Sequence, residues 1–362
     1  MRRTAARRVP TIAAAVPPTD IVEQEPAPEY VVEQEAPQVE VAPEVLPEMT
    51  LDPKTGLPWR YPNPHCLLYG EGASGKTTFV AQYMYRLYQD HGLPSLVLAF
   101  DPPGKMWPYY ELGEAVPCEE PFYQQWGIPV MDVLDPEGRL IVRVEQYAEP
   151  ENINLAQAAG MQANPKAWMN FNARLASFGL EAPNYGAVAL DSMTGLIYAN
   201  MCLQRVVKPM LAFASGTDTR QWYSMATDDV EGLLKSRLPW WQTAVFVICH
   251  VAEDKNKEEY AEGKLRGVSL IGRLSGNAIQ CYEEMWRMTV VPDLNKPGQY
   301  RRELQTRSST LYSATSLILK APNPCSPDYD ALWSNYRKKK LGVVEESVAA
   351  PSVGTPARRR RR

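Results

Sequence analysis

The sequence predicts an α/β fold with a mostly parallel central sheet flanked by helices, and three observations predict it. Short, almost unbroken apolar runs recur through the middle of the chain: HCLLYG at 65–70, SLVLAFD at 95–101, YGAVALD at 185–191 and TAVFVICH at 243–250. Runs of that length and continuity suit strands buried on both faces of a parallel sheet. Stretches with helical periodicity separate them, and this alternation is how such sheets are built. The first run also passes directly into a glycine-rich turn, GEGASGKTT at 70–78, which opens the first helical stretch.

Taken in order, the 65–70 strand leads through that turn into a helix over 76–89, where Phe79, Tyr83 and Leu87 are spaced to share one face. The 95–101 strand follows, then a Pro- and aromatic-rich insertion, then a further strand at 139–147. A long helical stretch at 153–178 leads to the 185–191 strand, and a helix at 222–238 precedes 243–250, the last strongly apolar strand. A charged loop at 251–267 is followed by a helix-like segment at 274–284. EMWRMTVV (284–291) and QYRRELQTR (299–307) read as an antiparallel edge, which mixed sheets often carry, and 328–340 as a closing helix.

A chain of 362 residues with 45% apolar content and a net charge of -4 is large enough to bury a substantial core. Its ends differ from its middle. Residues 1–52 carry 4 basic and 10 acidic side chains amid many prolines, too little apolar surface to order itself, so a disordered acidic Pro/Glu-rich arm is expected there. Residues 342–362 hold small residues and prolines and end in five arginines, Arg358 to Arg362; they read as a disordered tail, either merely solvated or in contact with nucleic acid. The folded domain is then 53–341, with a net charge of -1, so any nucleic-acid contact must come from a local patch.

Six cysteines without a CxxC pair and three histidines show no zinc-ligand spacing, and they fit reduced thiols in a cytoplasm. The N-terminal apolar stretch is shorter than the roughly 7 residues of a signal core, and no run approaches the ~20 residues of a membrane span. The expectation is a cytoplasmic protein with no membrane partner.

The turn at 70–77 matches GxxxxGK[ST] at every fixed position, between a predicted strand and a predicted helix. Glycines let the backbone curl until successive N–H groups face phosphate oxygens, and the following helix adds its positive end. The expected cradle is Gly70, Glu71, Gly72, Ala73, Ser74, Gly75, Lys76, Thr77 and Thr78. Lys76 should reach the β- and γ-phosphates of ATP, the Thr77 hydroxyl should coordinate Mg²⁺, and Thr78 should lie beside the α-phosphate. Asp191, preceded by Ala187, Val188, Ala189 and Leu190, is the candidate magnesium-side carboxylate, because a buried strand holds its last residue rigidly; capping of the next helix is the alternative. Ser192 is placed to assist through the metal's water shell. His250 ends another apolar strand, before a charged loop, and is the candidate γ-phosphate sensor.

Together GEGASGKTT, LVLAFDPPGK, YGAVALDSMTGL, TAVFVICHVAEDK and the stretch GRLSGNAI resemble the RecA-like P-loop ATPases of bacteriophages, including their single-strand annealing and recombination group, over roughly residues 66–320. The resemblance implies ATP-dependent binding of single-stranded DNA, assembly of identical subunits into a ring or filament, and nucleotide held between neighbours. It also makes 251–267 the second DNA-binding loop, with Lys255, Lys257, Lys264 and Arg266 as its cations; a solvated surface loop is the alternative. Arg301, Arg302 or Arg307 would be offered to a neighbour's phosphate, or is ordinary strand charge. The chain departs from the pattern after its second strand: where RecA-like enzymes commonly carry D-x-E or D-x-D, AFDPPGK offers only Asp101. Asp101 either orients the attacking water or merely ends the strand, so hydrolysis is expected to be slow or stimulated by a partner.

Two other classes use the same loop. A helicase loader or packaging-motor component would use nucleotide only to set its conformation and would recruit a protein through the acidic arm. A small-molecule kinase would need an Arg-rich lid, and no compact paired-arginine segment is present. Trp107, Tyr109 and Tyr110 either stack on a base or pack within the insertion.

Overall fold

In the computed structural model the strand His65–Gly70 (β1) is buried at every residue, because sheet neighbours flank it on both sides and helices cover both faces. The structure describes residues 63–149, 164–207, 220–251, 268, 281–293, 296–309 and 312–336. All of these fall within one compact unit, Glu48–Arg362. The expected arm at 1–52, the tail at 342–362 and most of the 251–267 loop lie outside the described residues.

β1 is followed by helix Lys76–His91 (α1), which buries Phe79, Tyr83 and Leu87 on one stripe and stops at Gly92, a left-handed residue whose N–H bonds back to the Tyr88 carbonyl. Strand Ser95–Ala99 (β2) leads into a short 3₁₀ turn and helix Trp107–Tyr110 (α2). Strand Glu114–Pro117 (β3), helix Pro121–Trp126 (α3), strand Val130–Leu134 (β4) and strand Leu140–Gln146 (β5) complete this region. Helix Ala167–Glu181 (α4) precedes strand Ala187–Asp191 (β6). Helices Met193–Val207 (α5) and Arg220–Gly232 (α6) follow, the second running into a π-helical turn, and then strand Ala244–His250 (β7). Strands Glu284–Pro292 (β8), Tyr300–Gln305 (β9) and Thr315–Ser316 (β10) and helix Tyr329–Tyr336 (α7) close the described chain.

The sheet runs β10-β8-β1-β7-β6-β2-β5-β4-β3, with β9 also paired to β8. From β8 to β5 each pairing is parallel, while β4, β3, β9 and β10 are antiparallel additions at the two sides. This is the mixed, mostly parallel sheet flanked by helices that the apolar runs imply. Because the six central strands point the same way, β1, β2, β6 and β7 all deliver their last residues to one edge. The β1 and β6 strands are not neighbours, since β7 lies between them.

Three expectations change. The insertion after β2 contains two strands, β3 and β4, antiparallel to each other and to β5. Segment 284–291 is not an edge: β8 pairs in parallel with β1, Cys66 opposite Glu284 and Gly70 opposite Met288, and only β9 and β10 lie beyond it. The helix-like 274–284 segment lies largely outside the described residues, and Glu284, its last residue, begins β8 rather than ending a helix.

Two hydrophobic cores sit on opposite faces of the sheet. One packs Phe79, Tyr83, Phe246, Trp286 and Tyr329 edge to face under α1 and α7. The other packs Phe100, Tyr147, Phe171 and Phe178 under α4. No helix among the described residues is long and apolar enough to cross a membrane.

Candidate functional site

The turn between β1 and α1 is shaped by two residues in left-handed conformation, Ala73 (φ 56) and Gly75 (φ 93), and alternation of this kind makes backbone N–H groups converge. At its start, a methyl group on Gly70 would collide with the Met288 carbonyl oxygen, so β8 presses directly on the loop. At its end, Gly75 caps α1.

Lys76, the first residue of α1, is buried and folds its ammonium back over the loop, donating to the Gly70 carbonyl at 3.0 Å, the Glu71 carbonyl at 2.7 Å and Ser74 Oγ at 3.4 Å. Burial lowers its pKa, and the Asp191 charge opposes that shift. One residue on, Thr77 Oγ1 donates to Asp191 Oδ2 at 2.9 Å. Thr78 sits half-buried in the first turn of α1.

Asp191 ends β6 with 2% of its surface exposed. Burial pushes its carboxyl up to about 6, the Asp101 charge adds to the shift, and donors from Thr77 and Tyr109 together with the Lys76 charge hold it back. Tyr109, from α2, is fully buried and donates to the same oxygen, Oδ2, at 3.1 Å. Of the two expectations for Tyr109, stacking on a base or packing within the insertion, the structure shows packing, since its ring has no exposed face for a base. The helix-capping alternative for Asp191 is met instead by its neighbour, since Ser192 Oγ accepts the Gly195 N–H at 3.3 Å and donates to Asp101 Oδ1 at 2.9 Å.

Asp101 lies two residues beyond β2, level with Asp191, whose carbonyl accepts the Phe100 and Asp101 N–H groups. Its carboxylate also pairs with exposed Lys105 at 3.1 Å. His250 ends β7 opposite Gly70, and the next N–H, Val251, bonds the Gly70 carbonyl. Burial lowers the His250 pKa and the Lys76 charge lowers it further, which favours a neutral ring. The fold thus brings Lys76, Thr77, Asp191, Asp101 and His250 to one sheet edge.

Lys255, Lys257, Lys264 and Arg266 lie outside the described residues. Arg301 pairs with Glu303 at 2.5 Å, while Arg302 rests on the 70–77 turn of its own chain, against Gly75. Trp107 is 62% exposed and bonds Glu111; Tyr110 is half-buried. The Tyr109–Asp191 bond, the Arg302 seat and the 3.8 Å Arg287–Glu71 pair carry no local sequence signal, because each joins segments distant in the chain.

The residues present fit a magnesium–nucleotide complex. Among the described residues no group of three or more His, Cys, Asp or Glu side chains gathers to hold a metal ion unaided. Thr77 and Asp191 supply one hydroxyl and one carboxylate, the hard-oxygen set that suits Mg²⁺ when phosphate oxygens and water complete its shell.

No protein-family profile matches the sequence, and no curated protein matches it. Similar solved structures include the crystal structure of a KaiC-like protein from the hyperthermophilic archaeon Pyrococcus horikoshii OT3, 14% identical, with a TM-score of 0.34, over 70% of this chain and 82% of that one.

Proposed function

We propose that the chain is a RecA-like P-loop ATPase that binds magnesium–ATP at residues 70–78 and hydrolyses it to ADP and phosphate. The observation that carries this reading is the joining of the GxxxxGK[ST] loop to a buried strand-end carboxylate through the Thr77–Asp191 bond. Strand, loop and helix follow in the order the motif requires.

In this reading the loop amides and Lys76 bind the β- and γ-phosphates, and Lys76 exchanges its carbonyl partners for phosphate oxygens. Thr77 and Asp191 hold Mg²⁺, which neutralises phosphate charge when bound. Asp101, fixed by Ser192 Oγ, orients the attacking water and takes its proton. His250, beside Gly70, reads whether a γ-phosphate is present and passes that state to the 251–267 loop.

The finer part of the proposal is that this activity serves single-stranded DNA in phage recombination or replication, by identical subunits assembled as a ring or filament. Its support is the sequence resemblance and the lysines and arginine of the loop after β7. A host-cell cytoplasmic setting goes with it.

The test is calorimetry with magnesium–ATP on the wild type and Lys76→Ala, followed by turnover with and without short single strands. The expected result is wild-type binding, loss of affinity by about a hundredfold or more in Lys76→Ala, and turnover that rises with DNA. Absence of any heat with the wild type would overturn the ATPase reading; turnover indifferent to DNA that does not bind would overturn the DNA part alone.

A further inference from the structure

Arg302 occupies β9 opposite Val290 of β8, and β8 is the strand beside β1. Its side chain leaves the hairpin and lies on the phosphate loop: a methyl group built on Gly75 would stand 2.5 Å from Arg302 Nε and 2.8 Å from both Cδ and Cζ. The guanidinium therefore rests against the backbone of the residue just before Lys76, within the same chain.

The other hairpin cations near the loop are committed. Arg301 is held by Glu303, and Arg287 faces Glu71 at 3.8 Å and lies over the Tyr312 ring at 3.3 Å. Arg302 has no ion-pair partner among the described residues. Its backbone is well anchored, since β9 pairs along β8 and the next residue but one, Leu304, is fully buried and exchanges backbone bonds with Cys325. An uncommitted guanidinium on a fixed strand, seated on the phosphate loop, has the planar donor fork suited to phosphate oxygens.

We infer that Arg302 is a nucleotide-binding residue, supplying a second cation to the polyphosphate held by its own subunit's loop. This deepens the ATPase reading and rests on it. It differs from both sequence alternatives for this strand's arginines, an offer to a neighbour's phosphate and ordinary strand charge, and it makes the β8–β9 hairpin, which touches the loop at Gly70, Glu71 and Gly75, the outer wall of the site.

Two measurements test it. Calorimetry with magnesium–ATP should show affinity weakened by about ten- to a hundredfold in Arg302→Gln, with Arg302→Lys retaining part of it and the nucleotide-free melting temperature unchanged in both. In an equimolar mixture of Lys76→Ala and Arg302→Gln subunits, a cis residue leaves only weakened sites. Wild-type affinity in Arg302→Gln, or a loss equal in the Lys and Gln variants and matched by lower melting temperatures, would overturn the proposal. Recovery of a wild-type class of sites in the mixture would overturn the cis assignment. A wild type that binds no nucleotide would overturn the ATPase reading as well, so the two failures are distinct.

Discussion

The Tyr109 hydroxyl donates to Asp191 Oδ2 at 3.1 Å, from a ring with no exposed surface. Thr77 donates to the same oxygen at 2.9 Å, so the buried carboxylate is fixed from two directions, by α1 and by the insertion after β2. This links the insertion after β2 with the carboxylate proposed to face magnesium.

Tyr109→Phe keeps the ring and removes one donor, leaving a buried carboxylate less well satisfied at a cost of about 1–3 kcal/mol. A partner that orients a metal-side group is also expected to matter for the metal, so half-maximal turnover should need about tenfold more Mg²⁺. Turnover titrated with Mg²⁺ in both proteins checks this. A matching Mg²⁺ response would reduce Tyr109 to packing.

Gly75→Ala tests the loop. At φ 93 an alanine pays about 1–2 kcal/mol for the left-handed backbone, and its methyl group must also displace Arg302. Urea unfolding should show this loss together with weaker nucleotide binding. In an Arg302→Gly background the clash is gone and only the backbone part should remain, a non-additivity that a double-mutant cycle measures.

Much of the fold was legible because its signals are local. The β1, β6 and β7 strands are apolar at nearly every position, since each is sandwiched in the sheet, and the glycine-rich turn that joins β1 to α1 is written in eight consecutive residues. The β3 and β4 strands were not legible: β3 is an exposed edge ending in Pro117, and β4 alternates buried residues with Asp132 and others half-buried. The place of β8 was misread because Arg287 and Thr289 interrupt its apolar run like a solvated edge, yet Arg287 is buried beside the loop and Tyr312. Tyr109 and Arg302 reach the site only through tertiary contacts, which no spacing in the sequence encodes.

Arg174 of α4 lies against Glu145 of β5 with 3.0 Å between Nε and Oε1, and both are almost fully buried. Tyr123 and Tyr147 donate to the same carboxylate, at 2.7 Å and 2.6 Å, so α3, α4 and β5 meet at one charge. Arg174→Met strands Glu145 without its counter-ion and should cost about 3–5 kcal/mol by denaturant unfolding. Adding Glu145→Leu should return only part of that loss, because it removes the unpaired charge but leaves the buried Tyr123 and Tyr147 hydroxyls without their acceptor and Glu181 without Arg174. A double variant as unstable as the single one would locate the cost in packing instead.

Glu284, fully buried at the start of β8, ties down the chain after β10. Its Oε1 accepts the Ile318 N–H at 2.9 Å and the Leu319 N–H at 2.8 Å, and its Oε2 accepts Trp286 Nε1–H at 2.9 Å. Burial raises its pKa above the ordinary 4.5, with these hydrogen bonds and one from Ser316 pulling back. A carboxyl whose folded pKa is raised contributes stability that is fully present below its unfolded pKa and is lost as pH rises through the folded value. Glu284→Ala removes all of these acceptor contacts and should cost about 1–3 kcal/mol. That deficit should be largest below the ordinary carboxyl pKa of 4.5 and narrow as pH rises above it, as the wild-type carboxyl ionises inside the protein at its own expense. Melting temperatures of both proteins across this range decide it: a deficit that widens with pH would mean that hydrogen bonding to the ionised carboxylate outweighs its burial.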